Sequence, residues 1–281
     1  MQIWGHALVK NEDRYLWYAI SSVIKFVDKV LLWDTGSSDD TLKIVESLKQ
    51  RYPSKIKFRE IGEVNPEQFT VVRQKMLEES ACDWVVIVDG DEVWWEDKIK
   101  ETTDLIHTRG QGLDSLVSQY YNVIGDIYHF QDELAGRYNI DGKVGNFNIR
   151  AFNRKIKGLK FKKPHGQQGL FDFADRLLQE REQSKRFWVM GYSYLHFTNM
   201  PRSRARSSDL AVPKRAFKLK YELGNSFPLD FYYPEVFFED RPEYLKSVWT
   251  NMDLKYQARS FVETPFKKVK RQHFSSEKSG Y

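Results

Sequence analysis

Five consecutive apolar residues, Trp84-Val85-Val86-Ile87-Val88, run directly into Asp89-Gly90-Asp91-Glu92. A short, unbroken, β-branched run predicts a strand covered on both faces, as in a parallel sheet. His6-Ala7-Leu8-Val9 and Val30-Leu31-Leu32-Trp33 repeat the signal. Between them Leu16, Ile20, Val23, Ile24 and Val27 recur at helical spacing, so residues 13–27 are expected to bury one face of a helix. Ser37 or Ser38, with Asp39 and Asp40, supplies the cap of a second helix carrying Leu42, Val45 and Leu48 and ending before Pro53. A strand near residues 56–61 follows, then a helix opened by Pro66 with Phe69, Val72, Met76 and Leu77 inward. This alternation means right-handed βαβ units, and such sheets bind ligands at the carboxyl ends of their strands.

Beyond residue 110 the pattern changes. Residues 115–124, 146–152 and 187–197 read as strands, a glycine-punctuated basic loop spans 155–169, and 204–222 look helical and basic. From 264 onward there is little apolar content. The expected fold class is α/β: a single Rossmann-like domain with a mixed central sheet and a basic, partly helical carboxyl-terminal extension. Its parts are expected at 1–110, 111–200 and 201–281.

Of 281 residues, 41% are hydrophobic and 30% charged, which excludes disorder as the main state. No stretch reaches the length of a membrane span, and the first residues lack the layout of a signal peptide, so a cytoplasmic chain is expected. The single cysteine, Cys82, reads as a small core residue and leaves no internal disulfide or cysteine zinc site. The net charge of +5 conceals a split: residues 1–142 carry 16 Lys/Arg against 25 Asp/Glu, and residues 143–281 carry 28 against 14.

Asp89-Gly90-Asp91 places two carboxylates around a glycine at a strand end, a donor set suited to Mg²⁺ or Mn²⁺ shared with substrate phosphates. Asp34-Thr35-Gly36-Ser37-Ser38-Asp39 reads either as a capped strand-to-helix turn or as a nucleotide contact. Asn11-Glu12, after the first strand, is open to the same two readings. Arg73 is either a surface charge or a partner for a phosphate or carboxylate.

Taken together, Val9-Lys10-Asn11-Glu12-Asp13-Arg14-Tyr15-Leu16, Val30 to Thr41, Arg73, Asp83-Trp84 and Val88-Asp89-Gly90-Asp91-Glu92 resemble, in order and spacing, the family 2 glycosyltransferases of glycosyltransferase-A fold. The resemblance covers about the first 95 residues, a third of the chain. It implies a nucleotide-sugar donor, a Mn²⁺ or Mg²⁺ cofactor and transfer with inversion. Carried over, Asp34 and Gly36 contact the nucleoside, Asn11 and Glu12 line its site with Arg73 in support, Asp89 and Gly90 approach ribose and metal, and Asp91 binds the metal. His196, at the end of an apolar strand, is a candidate third ligand or a histidine satisfied within the fold.

An inverting enzyme also needs a general base. Related sequences often follow a strand like Asn148-Ile149-Arg150-Ala151-Phe152-Asn153-Arg154 with a His-Glu pair; here Lys163-Pro164-His165-Gly166 lacks the glutamate. His165 and Asp172 lead as catalytic candidates, with Asp175 and Asp141 behind. Trp94, Trp95, Tyr120, Tyr121, Tyr128 and Tyr138 suit a sugar acceptor, or simply the core. The basic residues Arg202, Arg204, Arg206, Lys214, Arg215, Lys218, Lys220, Lys267, Lys268, Lys270 and Arg271 suit a solvated face, an anionic membrane or a lipid-diphosphate acceptor. Nucleic acid is disfavoured for want of any recognition motif. The reading is an inverting glycosyltransferase using a nucleotide sugar, UDP-linked, toward a glycan, lipid-linked or protein acceptor. A metal-dependent nucleotidyltransferase and a degenerate sugar-binding or interaction module are the alternatives.

Overall fold

The structure, a computed structural model, describes residues 1–212, 215–274 and 278–279. The first half runs β1 (Ile3–Val9), α1 (Leu16–Ile24), β2 (Lys29–Asp34), α2 (Thr41–Arg51), β3 (Ile56–Glu60), α3 (Pro66–Glu79), β4 (Trp84–Ile87), β5 (Glu92–Trp94) and α4 (Glu96–Arg109). Strands β3, β2, β1 and β4 lie side by side, all parallel. Their continuous apolar character has a direct cause. Alternate residues from Trp84 to Val88, along β4 and just past its end, enter opposite cores, Trp84, Val86 and Val88 on one side and Val85 and Ile87 on the other.

The second half adds β6 (Ser115–Ile124), β7 (Asp126–Phe130), β8 (Tyr138–Ile140), β9 (Lys143–Gly145), β10 (Phe147–Asn153), β11 (Lys160–Lys162), β12 (Gly169–Phe171) and β13 (Arg186–His196). Strand β10 is antiparallel to both β4 and β6, and β13 runs parallel to β6 while pairing antiparallel with β5. The sheet is therefore mixed, as expected. After β13 the chain forms α5 (Arg206–Ala211), α6 (Arg215–Lys218), the short β14 (Asn225–Ser226) and α7 (Leu254–Phe274).

Four local expectations change. All nine residues of α1 are buried, because α1 is packed among β5, α2, α4 and the turn at Glu235–Phe237, so it has no solvent face. In α2, Ile44 takes the core position expected of Leu42. The first turn of α2 is met by Asp39, whose Oδ1 accepts from Thr41 N–H at 3.0 Å, and not by Ser37 or Ser38. Among its described residues the stretch 204–222 holds only α5 and α6, with Arg204 and Arg215 tied instead to Asp13 and Glu12 after β1. Helix α3 starts as expected, with Pro66 in its first turn and a reciprocal Asn65–Gln68 capping box. Cys82 is a buried free thiol. No helix among the described residues is long and apolar enough to cross a membrane.

Candidate functional site

Because β1, β2 and β4 are parallel neighbours, the loops after Val9, Asp34 and Ile87 meet at one edge of the sheet. The Asn11 N–H donates to Ser37 Oγ at 2.8 Å, and the Ser38 N–H donates to Asn11 Oδ1 at 2.7 Å. A Cβ on Gly90 would come within 2.9 Å of Glu12 Cγ, so the middle of Asp-x-Asp has room only for glycine. Arg73 reaches in from α3 and donates to Asp89 Oδ1 at 3.0 Å. The fold thus gathers Asn11, Glu12, Asp34, Gly36, Arg73, Asp89, Gly90 and Asp91 at one place.

Their polar atoms are used differently. Asp34 is buried and accepts from Gly36 N–H (2.9 Å), Ser37 N–H (2.8 Å) and the Ser37 hydroxyl. Gly36, at φ +85°, supplies the left-handed residue that this turn requires. Asn11 is itself left-handed, a conformation asparagine tolerates, and its Nδ2 donates to Ser208 O at 2.7 Å. Asp34 and Asn11 therefore shape the loops.

The remaining acids are held by arginines. Asp89 lies between Arg73 and Arg150, whose Nη2 is 3.3 Å from its Oδ2; against burial, these two cations lower its pKa. Asp91 Oδ2 lies 2.8 Å from Arg202 Nη1 and 3.5 Å from His196 Nε2. Burial opposes ionisation there, but Arg202 and His196 outweigh it and hold Asp91 far below the usual range. Glu12 Oε1 is 3.1 Å from Arg202 Nη1 and 2.7 Å from Arg215 Nη2; here burial wins and raises Glu12 to about 7. Glu92, fully buried, pairs with Arg150, and burial pushes it well above the usual range. His196 reaches the cluster because β13 pairs it with Glu92 of β5, and burial lowers its pKa.

Arg150, Arg202 and Arg215 are the site residues the sequence did not mark. Arg204 behaves alike, bonded to Asp13 (Nε to Oδ2, 3.1 Å) and paired with Asp40. Arg202, Arg204 and Arg215, read from sequence as part of a basic outer face, are turned inward, and Lys267 and Arg271 pair with Glu263 and Glu222. Lys214 lies outside the described residues. The usable signal was charge balance, since carboxylates buried at one edge require cations and the surplus of cations lies after residue 142.

The candidate bases are scattered. Strand β10 is antiparallel to β4, so Arg150 stands at the acidic end and Asn153, opposite Trp84, at the far end. Asp114 precedes Ser115, which pairs with Phe152 and with Arg186, so it too lies at the far end. Asp172 pairs with Arg181, which also binds Asp114 at 2.7 Å. Asp172, expected as a candidate base, is placed away from the acidic edge. It is buried at the opposite edge, locked by Arg176, Arg181 and the N–H groups of Ala174 and Arg176, which lower its pKa against the effect of burial. Asp141 pairs with Arg186 and accepts from Trp188 Nε1 at 3.0 Å, also at that end, and Asp175 pairs with Lys162 on the surface. His165 packs against Phe69 with the rings tilted at 53° (4.3 Å between ring centres), on the flank of α3. Of the aromatics, Trp94, Trp95 and Tyr120 are core, while Tyr121 stacks on Tyr192 at 3.6 Å.

Among the described residues no group of three or more His, Cys, Asp and Glu side chains forms a ready-made metal centre. The donor chemistry nonetheless suits a hard divalent cation. Asp91 Oδ2 is buried and meets Arg202 without hydrogen-bond geometry, Asp89 stands two residues away, and the His196 imidazole faces the same oxygen. Arg202 now occupies the approach to Asp91 and would have to yield.

An acidic edge at the carboxyl ends of parallel strands, lined with guanidinium groups, stands where open α/β sheets bind their ligands. A family model described as Glycosyl transferase family 2 matches residues 8–173, more than half of the chain, and the chain belongs to that family. It is 34% identical over 87 residues to uncharacterised glycosyltransferases of Rickettsia felis and Rickettsia conorii, a match covering 30% of this chain and only 27% of theirs. The fold is similar to S. aureus TarS residues 1–349 solved with UDP-GlcNAc, at 16% identity and a TM-score of 0.50, over 78% of this chain and 69% of that one. The fold is thus of glycosyltransferase-A type.

Proposed function

We propose that this chain transfers a sugar, with inversion, from a UDP-linked donor to a hydroxyl acceptor in glycan or glycoconjugate synthesis. The observation that carries the reading is the meeting of the Asn11-Glu12, Asp34-Gly36 and Asp89-Gly90-Asp91 loops at one sheet edge in a member of this family. The donor complex of TarS favours UDP. In this reading residues 1–110 form the donor half, 111–200 the acceptor half and 201–281 an extension that closes over the donor site.

Asp89 and Asp91, with His196 beside them, would hold a divalent cation, which when bound neutralises charge on the departing diphosphate. The turn built by Asp34 and Gly36 borders the nucleoside. Arg202 and Arg215 are placed to exchange Asp91 and Glu12 for diphosphate oxygens, a geometry suited to planar guanidinium groups. Lys218, an exposed residue of α6, adds a further cation whose charge acts on Asp91, Asp89 and Glu12. The test is a panel of nucleotide sugars scored by released nucleoside diphosphate, with and without Mn²⁺. Turnover with a UDP-sugar is expected; none with any donor would overturn the reading in favour of a binding module.

A further inference from the structure

Helix α7 is amphipathic the wrong way round for a helix packed on a protein. Its inward residues are polar: Tyr256 Oη donates to Lys220 O at 2.8 Å, Thr264 Oγ1 accepts from Leu223 N–H at 3.1 Å, Lys267 Nζ donates to Tyr221 O at 2.7 Å, and Arg271 binds Glu222 with two hydrogen bonds of 2.5 Å. Ser260 lies fully buried on the same side. The apolar residues point outward instead, with Leu254 83%, Phe261 73%, Val262 61%, Phe266 74% and Val269 54% exposed. On a helical projection at 100° per residue these five occupy one side, and a helix ordinarily buries such a stripe.

Charge indicates what covers it. Leu254–Phe274 carries six Lys/Arg and one Glu, and that glutamate, Glu263, is already paired with Arg259 and Lys267. Lys268 and Lys270 flank the stripe, Lys255 lies within it, and none of these three pairs with a carboxylate among the described residues. A second copy laid on this face would bring like charges together. An anionic lipid surface answers both features, accepting the phenylalanines at its acyl boundary and the lysines at its headgroups. We infer that α7 lies in the plane of an anionic membrane surface through Leu254, Phe261, Val262, Phe266 and Val269. The seat of α7, Tyr221–Leu223, follows closely on α6, whose Arg215 closes over Glu12, so docking holds the covering segment of the site near the lipid.

The test is co-sedimentation of the full chain with vesicles of phosphatidylcholine alone or mixed with phosphatidylglycerol, at low and moderate salt, alongside its oligomeric state. Binding to the anionic vesicles is expected, weakening with salt. The Phe261→Ser/Phe266→Ser variant should lose about tenfold or more of that binding, as should Lys255→Gln/Lys268→Gln. Met190→Ser, at an equally exposed residue of β13, should change nothing. No binding to anionic vesicles at low salt overturns the inference. Binding unaffected by the paired phenylalanine substitution does so too, as does a dimer that this substitution dissolves, which would assign the stripe to a second copy.

Discussion

The two halves of the chain bring charge to the same edge by different routes. In the amino-terminal half each acid lies at a strand end or within a few residues of one, so Glu12, Asp34, Asp89 and Asp91 are placed by local sequence and parallel pairing. In the carboxyl-terminal half the cations come from a distance. Arg150 projects from an antiparallel strand, Arg202 from the segment after β13, and Arg215 reaches Glu12 across 203 positions of sequence. The negative and positive halves are one another's counter-ions at the site. Charge asymmetry along a chain can thus be an internal pairing as much as a sign of an external partner.

The largest break in the comparison comes from the acid that both a cation and Arg202 would use. Asp91→Asn should lower turnover of a nucleotide sugar by about 10²- to 10³-fold, while the variant keeps its circular dichroism spectrum. Arg202→Met removes the other member of the pair and leaves Asp91 and part of Glu12 buried without their counter-ion. It should cost about 3 kcal/mol of stability, and Mn²⁺ should raise the melting temperature of this variant more than that of the wild type. An equal response to Mn²⁺ would detach Arg202 from the cation site.

Asp172→Asn sharpens the comparison from the far edge of the sheet. It should cost about 1–3 kcal/mol, because Arg176 and Arg181 lose a charged partner, yet leave turnover within about twofold; a loss comparable with that of Asp91→Asn would restore it as the base. The last effect expected is a slope with pH. Glu12 titrates near 7 in the fold against an ordinary 4.5, so the folded state binds the extra proton between these values. Stability should be fullest below pH 4.5 and decline by about 3 kcal/mol as pH rises to 7, measured relative to Glu12→Gln, which lacks the slope.

How much was legible follows from the same contrast. The parallel strands, the capped helix at Pro66 and the acidic loops were readable because runs such as Trp84 to Val88 report burial on both faces and sit beside the motifs they position. His196 was readable as a strand end, and its pairing with Glu92 puts it beside Asp91. The place of Asp172 was not legible because its nearness in sequence to His165 said nothing of sheet register, which sends it to the opposite edge. The arginines were read as surface because a local window sees their charge and not the buried acids they meet. The apolar stripe of α7 was hidden because its lysines and glutamine dilute Phe261, Phe266 and Val269 in composition while leaving them aligned in space.

The central claim, that the two halves neutralise each other at the site, is tested most directly by a double-mutant cycle. Stabilities of the wild type, Asp91→Asn, Arg202→Met and the double variant, measured by denaturant unfolding without added divalent cation, give the coupling between the two residues. The pairing predicts a coupling of about 1–3 kcal/mol; a value below about 0.3 kcal/mol would contradict it.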